Sequence, residues 1–450
     1  MFRSVLVANR GEIARRIVRT VQALGLRAVV VYSEADAGLP YVREADEAVP
    51  IGPPRPAESY LDMDVVLAAV KRSGAEAVHP GYGFLAENAT FARRVIAGGL
   101  TWIGPAPATI ELMGDKINAR NLMEDAGVPV APGSRAPVAD ADAAVREAGR
   151  IGYPVMVKAS GGGGGIGMSV ARDETRLRAA FETARSGAVR FFGNPSILLE
   201  RYVEHARHVE VQILGLTDGT VVAFGERDCS VQRRHQKVAE ETPSPGVAGP
   251  LRARMLAAAI RAGETVGYQG AGTVECLVDP AAQEFAFLEM NTRLQVEHPV
   301  TELVSGVDLV EQQLLVAAGR PPSFGPGDVR LAGHAIELRV YAEDPKRFLP
   351  SPGAITAWSE PAGPGIRVDA GYAAGTTVSP FYDPLLAKLC AHGTDRAQAL
   401  ARLRAAVADF VVTGPKTNLP FLAELLDDPE FADGAYDTGL VARMREPARA

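Results

Sequence analysis

Residues 285–302 (FAFLEMNTRLQVEHPVTE) hold the densest set of groups able to do chemistry. From Ala286 to Val296 the even positions are mostly apolar, while the odd positions pass from Phe285 and Phe287 to Glu289, Asn291, Arg293, Gln295 and Glu297. Side chains alternate across an extended strand, so this spacing predicts one buried face and one face of carboxylates, amides and a guanidinium. A merely solvated face needs no guanidinium between carboxylates. Glu and Asn oxygens suit a hard cation, and Arg and Gln donors suit a small oxyanion. Pro299 ends regular pairing just past Glu297. A strand at 273–278, followed by the turn Asp279-Pro280-Ala281-Ala282-Gln283, predicts a hairpin that sets Glu275 beside Glu289. With Asn291 that pair suits one or two magnesium ions, which take few protein ligands and share the rest with nucleotide phosphates.

Two further stretches add to this chemistry. Val155-Met156-Val157-Lys158 reads as a strand, the run 161–167 (GGGGGIG) as a loop, and Met168–Ala171 as a second strand. A glycine loop between two strands is not the strand-to-helix setting of a Walker loop, and no G-x-x-x-x-G-K-[ST] occurs. It can instead act as a flap whose bare amides wrap phosphates. Residues 226–241 (ERDCSVQRRHQKVAEE) pack Arg227, Arg233, Arg234, His235 and Lys237 together, a local cationic pocket suited to phosphate. Lysine is scarce: of 47 basic residues only Lys71, Lys116, Lys158, Lys237, Lys346, Lys388 and Lys416 are lysines. A lysine kept against that background points to a need for a compact, flexible ammonium.

The elements that must position these groups follow from periodicity. A strand at 4–8, a helix at 12–24, a strand at 28–32, a helix at 63–72, a strand at 76–78 and a helix at 86–96 predict a parallel sheet with covered faces. The first turn has Gly11 alone and no G-x-G-x-x-G, which argues against a dinucleotide site and a dehydrogenase. A helix is expected over 107–126, and a small separate lobe from the Gly/Pro junction at 127–133 to Val203. Within it Asp173 can cap a helix at 174–185. A helix at 250–266, a helix at 308–318, a β-rich tail from Gly333, and helices at 395–410 and 418–427 complete the pattern. Net charge is −7, which excludes broad nucleic-acid binding, and no apolar run reaches membrane-spanning length. The N-terminus lacks a signal-peptide layout, and Cys229, Cys276 and Cys390 are odd in number and far apart, so a reducing cytoplasm is expected.

The chain resembles biotin carboxylase, the ATP-grasp component of biotin-dependent carboxylases. The resemblance is carried by ANRGEIA at 8–14, HPGYGFLAEN at 79–88, MGDK at 113–116, KASGGGGG at 158–165 and RHVEVQ at 207–212. It continues through ERDCSVQRRHQKVAEE at 226–241, EMNTRLQVEHPVTE at 289–302, AEDP at 342–345 and FLPSPG at 348–353. It implies an α/β fold in three parts. These are a Rossmann-like pre-ATP-grasp domain over 1–112, an ATP-grasp domain over 113–330 with a mobile glycine-loop lid at about 130–202, and a C-terminal α+β domain over 331–445. It implies that ATP is bound by Lys116, Lys158, Gly163, Gly164, Gly165, His208, Gln232 and His235, with Glu200, Arg201 and Val203 along the adenine edge. Glu275, Glu289 and Asn291 would hold Mg²⁺ or Mn²⁺. Lys237, Arg293, Gln295 and Val296 would hold bicarbonate, Glu297 would act as base, and Arg339 and Tyr82 would serve the biotin side. The implied reaction is carboxylation of biotin through carboxyphosphate, as in acetyl-CoA carboxylase and fatty acid biosynthesis. No lysine lies between two methionines as in the family's biotin-attachment tripeptide, so the biotin is expected on a separate carrier protein, with a separate carboxyltransferase and a homodimeric enzyme. The alternatives are another ATP-grasp ligase, joining a carboxylate to an amine, or a non-catalytic protein of the assembly. Ile166 stands where the family carries a basic residue, Tyr341 where it carries Asn, and Arg201 where lysine is common.

Overall fold

The structure, a computed structural model, describes residues 1–159, 168–192, 196–234, 236–325 and 327–446. Strand Ser4–Val7 is the centre of a five-stranded parallel sheet in the order Glu47–Pro50, Arg27–Tyr32, Ser4–Val7, Ala77–His79, Thr101–Trp102. Parallel strands are covered on both faces, and this run is apolar at successive positions for that reason. Val5 and Val7 pack with Ile13, Ile17 and Val21 of helix Gly11–Ala23. Leu6 packs with Val66 and Val70 of helix Met63–Ser73 and with Phe91 and Val95 of helix Ala89–Ala97. The helix expected from residue 86 starts at Ala89, because the Asn88 side chain caps it by accepting the Phe91 amide at 2.9 Å. The preceding loop carries Tyr82 and is clamped by Asn9, whose Nδ2 donates to the carbonyls of Pro80 and Tyr82, both at 2.7 Å. Gly81 sits there at φ +64°, and a Cβ would lie 2.8 Å from Asn9 Nδ2, so a side chain would open the clamp.

The single helix expected over 107–126 is two helices, Pro107–Gly114 and Lys116–Asp125. Asp115 breaks it: its carboxylate accepts the Ile117 and Asn118 amides at 3.0 Å and so starts a second helix. Lys116 is thereby the first residue of that helix. The small lobe is a three-stranded antiparallel sheet, ordered Met168–Ala171, Val155–Ala159, Ile197–Arg201. Asp173 does cap the following helix, accepting the Arg176 amide at 2.8 Å, but the helix runs on to Phe192. Val155, Val157, Leu177, Phe181, Ile197 and Leu199 give this lobe a core of its own.

The rest of the molecule is built on one eight-stranded antiparallel sheet. Its order is Glu284–Asn291, Gly270–Asp279, Arg207–Gly215, Val221–Arg233, Gln236–Thr242, His334–Tyr341, Leu385–Gly393, Ile366–Ala370. Part of the β-rich tail joins this sheet, since Ala239 pairs with Leu338 and Glu240 with Glu337 and the ladder continues without a gap. Gly353–Ala354 with Thr377–Val378 and Ala357–Ser359 with Val411–Thr413 form two small sheets of their own. Helices Arg396–Asp409 and Leu419–Asp427 cover its far end, as the apolar spacing predicts. Among the described residues no helix is long and apolar enough to cross a membrane.

Glu241 ties this end together. Its carboxylate accepts from His334 Nε2 at 2.5 Å, Arg396 Nε at 2.7 Å and the Tyr436 hydroxyl at 2.5 Å. Burial pushes the carboxyl up, but His334 and Arg396 more than reverse this, from 4.5 to about 2. The folded-state value is depressed, so the stabilisation is complete above the ordinary carboxylate range and is lost as pH falls through about 2. Glu241→Gln is expected to cost roughly 3 kcal/mol at neutral pH. Urea denaturation across pH should show the variant and the parent converging at acid pH; a gap that stays constant with pH would show that the charge is not the cause.

Candidate active site

Between the five-stranded sheet, the small lobe and the eight-stranded sheet lies a cleft of about 1800 Å³. Its walls include Tyr82, Lys116, Lys158, Glu200, Arg201, Val203, His208, Gln232 and Lys237. Glu275, Glu289, Asn291, Arg293, Gln295, Val296, Arg339 and Tyr341 also face it. The described site residues thus gather in one place, apart from Glu297, which is wholly buried just behind the wall. Gly163, Gly164, Gly165, Ile166 and His235 lie outside the described residues.

The predicted hairpin forms, and Glu275 sits directly opposite Glu289 in its ladder, with Asn291 opposite Thr273. The two carboxylates are met by cations from neighbouring elements. Lys116 Nζ is 3.0 Å from Glu289, and His208 Nε2 is 3.0 Å from Glu275. Burial pushes Glu275 up, but Lys237 and His208 hold it well below the usual carboxylate range. The Glu275 carboxylate likewise overcomes burial at His208 and raises its imidazole. Asn291 Nδ2 is buried without a hydrogen-bond partner among the described residues. Two facing carboxylates and an amide oxygen, compensated by Lys116 and His208, form an oxygen donor set that fits a hard divalent ion beside phosphates. Across the cleft Lys158 pairs with Glu200 on the adjacent strand of the small lobe, and Gln232 Nε2 lies 2.7 Å from His208 Nδ1.

The alternating strand does not extend to Val296. It ends at Asn291, and the next residues form a turn leading into helix His298–Ser305. The ladder stops because the first lobe takes over the pairing. Glu87 accepts the Thr292 amide at 3.2 Å and Arg293 Nε at 2.7 Å, and Leu294 is buried in the core shared with Val5 and Val7. The polar groups converge nonetheless. Arg293 donates to Asn291 Oδ1 at 3.2 Å and to Gln295 Oε1 at 2.8 Å, and Gln295 Nε2 donates to Glu275 at 3.2 Å.

Lys237 is the hub. Its ammonium lies 2.7 Å from Glu210, 3.2 Å from Glu275 and 2.6 Å from Glu297. The other oxygen of Glu297 accepts from Arg339 at 3.0 Å, and Arg339 Nε donates to Glu240 at 2.7 Å. Burial pushes Glu297 up, but Lys237, Arg339 and Arg227 outweigh it and keep the carboxyl ionised far below its usual range. Glu240, by contrast, is pushed up to about 7, with burial outweighing Arg339.

Of the cations in the span 226–241, Arg233, Arg234 and Lys237 line the cleft, whereas Arg227 does not. Arg227 points into the sheet interior, fully buried, and donates to Glu210 at 2.6 Å and to Gln212 at 2.8 Å. Arg233 pairs with Glu343 at 2.9 Å and packs over Phe348. Of Arg227, Arg233 and Lys237, only Lys237 reaches both Glu275 and Glu297, while Arg227 meets it through Glu210, which accepts from both. The residues that sequence reasoning left without a role are Glu87, Glu210 and Glu240. Glu210 shares the alternating face of His208 and Gln212 in RHVEVQ, a usable signal. Glu87 and Glu240 gain their meaning only from contacts across the fold.

Comparisons with known proteins identify the family and the fold. Residues 1–110 match the family model "Biotin carboxylase, N-terminal domain", residues 115–323 "Carbamoyl-phosphate synthase L chain, ATP binding domain", and residues 337–443 "Biotin carboxylase C-terminal domain". The chain is 51% identical to a biotin carboxylase of Halalkalibacterium halodurans over 98% of this chain and 97% of that one. It is 46% identical to the propionyl-CoA carboxylase alpha chain of Ruegeria pomeroyi, covering 98% and 68%. Among solved structures, the Campylobacter jejuni biotin carboxylase–β-γ-ATP complex superposes with a TM-score of 0.96 at 44% identity, covering 98% and 99%. The biotin carboxylase domain dimer of Hydrogenobacter thermophilus 2-oxoglutarate carboxylase, in complex with MgADP, ADP and bicarbonate, gives 0.94 at 42% identity, with full coverage of both chains. With three segments matched along the chain and a relative 51% identical over nearly its whole length, this chain belongs to the biotin carboxylase family.

Proposed function

We propose that the protein carboxylates biotin with bicarbonate at the expense of ATP, releasing ADP and phosphate. The observation that carries this is the joining of Glu297, Lys237 and Arg339 in one buried ion-pair chain next to the Glu275–Glu289 pair. That arrangement offers cations for an oxyanion and a divalent-ion seat on a single sheet, with a base in the turn just past its edge strand.

In this reading ATP lies between the small lobe and the body, contacted by Lys116, Lys158, His208 and Gln232, with Glu200, Arg201 and Val203 beside the base. The glycines Gly163, Gly164 and Gly165 and His235 complete the nucleotide seat. Mg²⁺ or Mn²⁺, held by Glu275, Glu289 and Asn291, supplies charge neutralisation for the phosphates. Lys237, Arg293, Gln295 and the Val296 backbone hold bicarbonate. Glu297 removes its proton, so that an oxygen attacks the γ-phosphorus, ADP leaves, and carboxyphosphate forms. Carboxyphosphate then gives CO₂ and phosphate. Phosphate takes the ureido proton of biotin, Arg339 stabilises the enolate, and the nitrogen attacks CO₂. Tyr82 seats the ring. Bicarbonate is a weak nucleophile and the ureido nitrogen a very weak acid, so fixed cations and a positioned base supply most of the help.

The same reading divides the chain at 1–112, 113–330 and 331–445, with a lid at about 130–202, a division supported by the three family matches. It places the enzyme in the cytoplasm, working as a homodimer with a biotin carboxyl carrier protein and a carboxyltransferase. Relatives named as parts of pyruvate and propionyl-CoA carboxylases support a multi-protein enzyme.

The test is direct. ATP hydrolysis should require bicarbonate and rise with free biotin, and ¹⁴C-bicarbonate should appear on biotin. Hydrolysis stimulated by an amine but indifferent to bicarbonate would assign the site to a different ATP-grasp ligase.

A further inference from the structure

Lys388 is one of the seven lysines, lies outside the motifs that carry the family resemblance, and is fully buried on strand Leu385–Gly393. Its ammonium donates to the Val296 carbonyl at 2.9 Å, lies 3.1 Å from Glu12 Oε2 and 4.0 Å from Asp369. Val296 stands between Gln295 and Glu297 in the turn that replaces the expected strand. The same turn is also held by His298, whose Nδ1 lies 2.8 Å from the Gln295 carbonyl. Glu12 comes from helix Gly11–Ala23 of the first lobe, which abuts Gly371 so closely that a Cβ there would lie 2.6 Å from the Glu12 nitrogen. Asp369 is already paired with Arg367 at 2.7 Å.

The turn has lost its ladder partners, so its backbone needs some other fixture. Two consecutive carbonyls, of Gln295 and Val296, are bound by buried side chains. That fixes the backbone from which the Gln295 and Glu297 side chains reach Glu275, Lys237 and Arg339. A lone buried ammonium is costly unless paired, and Glu12 is its pair. The chain uses arginine for nearly every other cation, so a lysine here points to a need for a compact ammonium between the Val296 carbonyl and Glu12.

We propose that Lys388, held by Glu12, is a positioning residue that fixes the Val296 carbonyl and thereby sets the bicarbonate-binding turn against both the first lobe and the eight-stranded sheet. The inference rests on the functional reading above for the identity of the anion. Its geometry does not depend on that identity.

Lys388→Met alone leaves Glu12 uncompensated and can unfold the lobe junction, so the decisive variant is the double substitution Glu12→Met/Lys388→Met, which removes both charges together. The expected result is a folded protein with parental nucleotide affinity, a KM for bicarbonate raised about 10- to 100-fold and a lower kcat. Lys388→Arg should fail to restore the KM. Fluorescent-nucleotide titration reports ATP binding separately from turnover. A folded double variant with parental bicarbonate KM and kcat would overturn the proposal, as would an equal loss of ATP and bicarbonate affinity, which marks general damage. If the parent itself shows no bicarbonate dependence, the functional reading fails instead, and that result is distinguishable from both.

Discussion

Glu297→Gln is expected to lower bicarbonate-dependent ATP hydrolysis and ¹⁴C transfer to biotin about 10²- to 10⁴-fold, the range for a positioned general base. The substitution keeps the shape of a side chain that is fully buried. Lys237 retains Glu210 and Glu275, and Arg339 retains Glu240, so neither cation is left without a carboxylate. The variant should therefore keep its thermal midpoint within a few degrees while losing turnover. Bonded to Lys237, Arg339 and the Cys229 thiol, Glu297 is too weak a base, since the two cations hold it ionised far below its usual range. An anion bound beside them offsets their field and brings the carboxyl back toward a useful value. The pH–rate profile for kcat should accordingly show its acidic limb well above the pH at which free Glu297 titrates. Transfer at the parental rate in Glu297→Gln would remove the base assignment.

The second large effect belongs to the proposed divalent-ion seat. Glu275→Gln is expected to reduce kcat at millimolar Mg²⁺ by about 10²-fold or more and to raise the Mg²⁺ concentration needed for half-maximal rate. A hard ion bound through few protein oxygens depends on each charged one. Glu275 also anchors His208, Lys237 and Gln295, so its loss disturbs the bicarbonate side as well. Glu289→Gln offers the cleaner control, because among the described residues Glu289 is paired only with Lys116. It should shift the Mg²⁺ curve while leaving the KM for bicarbonate near the parental value. Titration of Mg²⁺ at fixed nucleotide measures both. Unchanged metal curves in both variants would show that the facing carboxylates hold something other than the ion.

Local patterns carry much of this arrangement. The hairpin that sets Glu275 opposite Glu289 follows from alternation plus a Pro-containing turn, and it forms in that register. The parallel first sheet follows from short apolar runs spaced by amphipathic helices. What the sequence hides is whatever depends on partners far along the chain. Strand periodicity carries the pattern to Val296, but Glu87, about two hundred residues earlier, captures the Thr292 amide and ends the strand at Asn291. Arg227 looks like its neighbour Arg233, yet it lies in the sheet interior and pairs with Glu210. Asp115 reads as part of one helix rather than the break between two, because a carboxylate that caps and a carboxylate on a surface look alike in a sequence.

The unbroken eight-stranded sheet has a consequence for how the reactants meet. Lys237, Glu275 and Arg339 all stand on it, and Glu297, in the turn beyond its edge strand, is bonded to two of them, so one plate braces that carboxylate from both sides. Lys158 and Glu200 instead belong to a lobe with a separate core. In the proposed reading, a movement of that lobe would change the grip on the nucleotide while leaving Lys237, Glu275 and Arg339 at fixed spacing on the sheet.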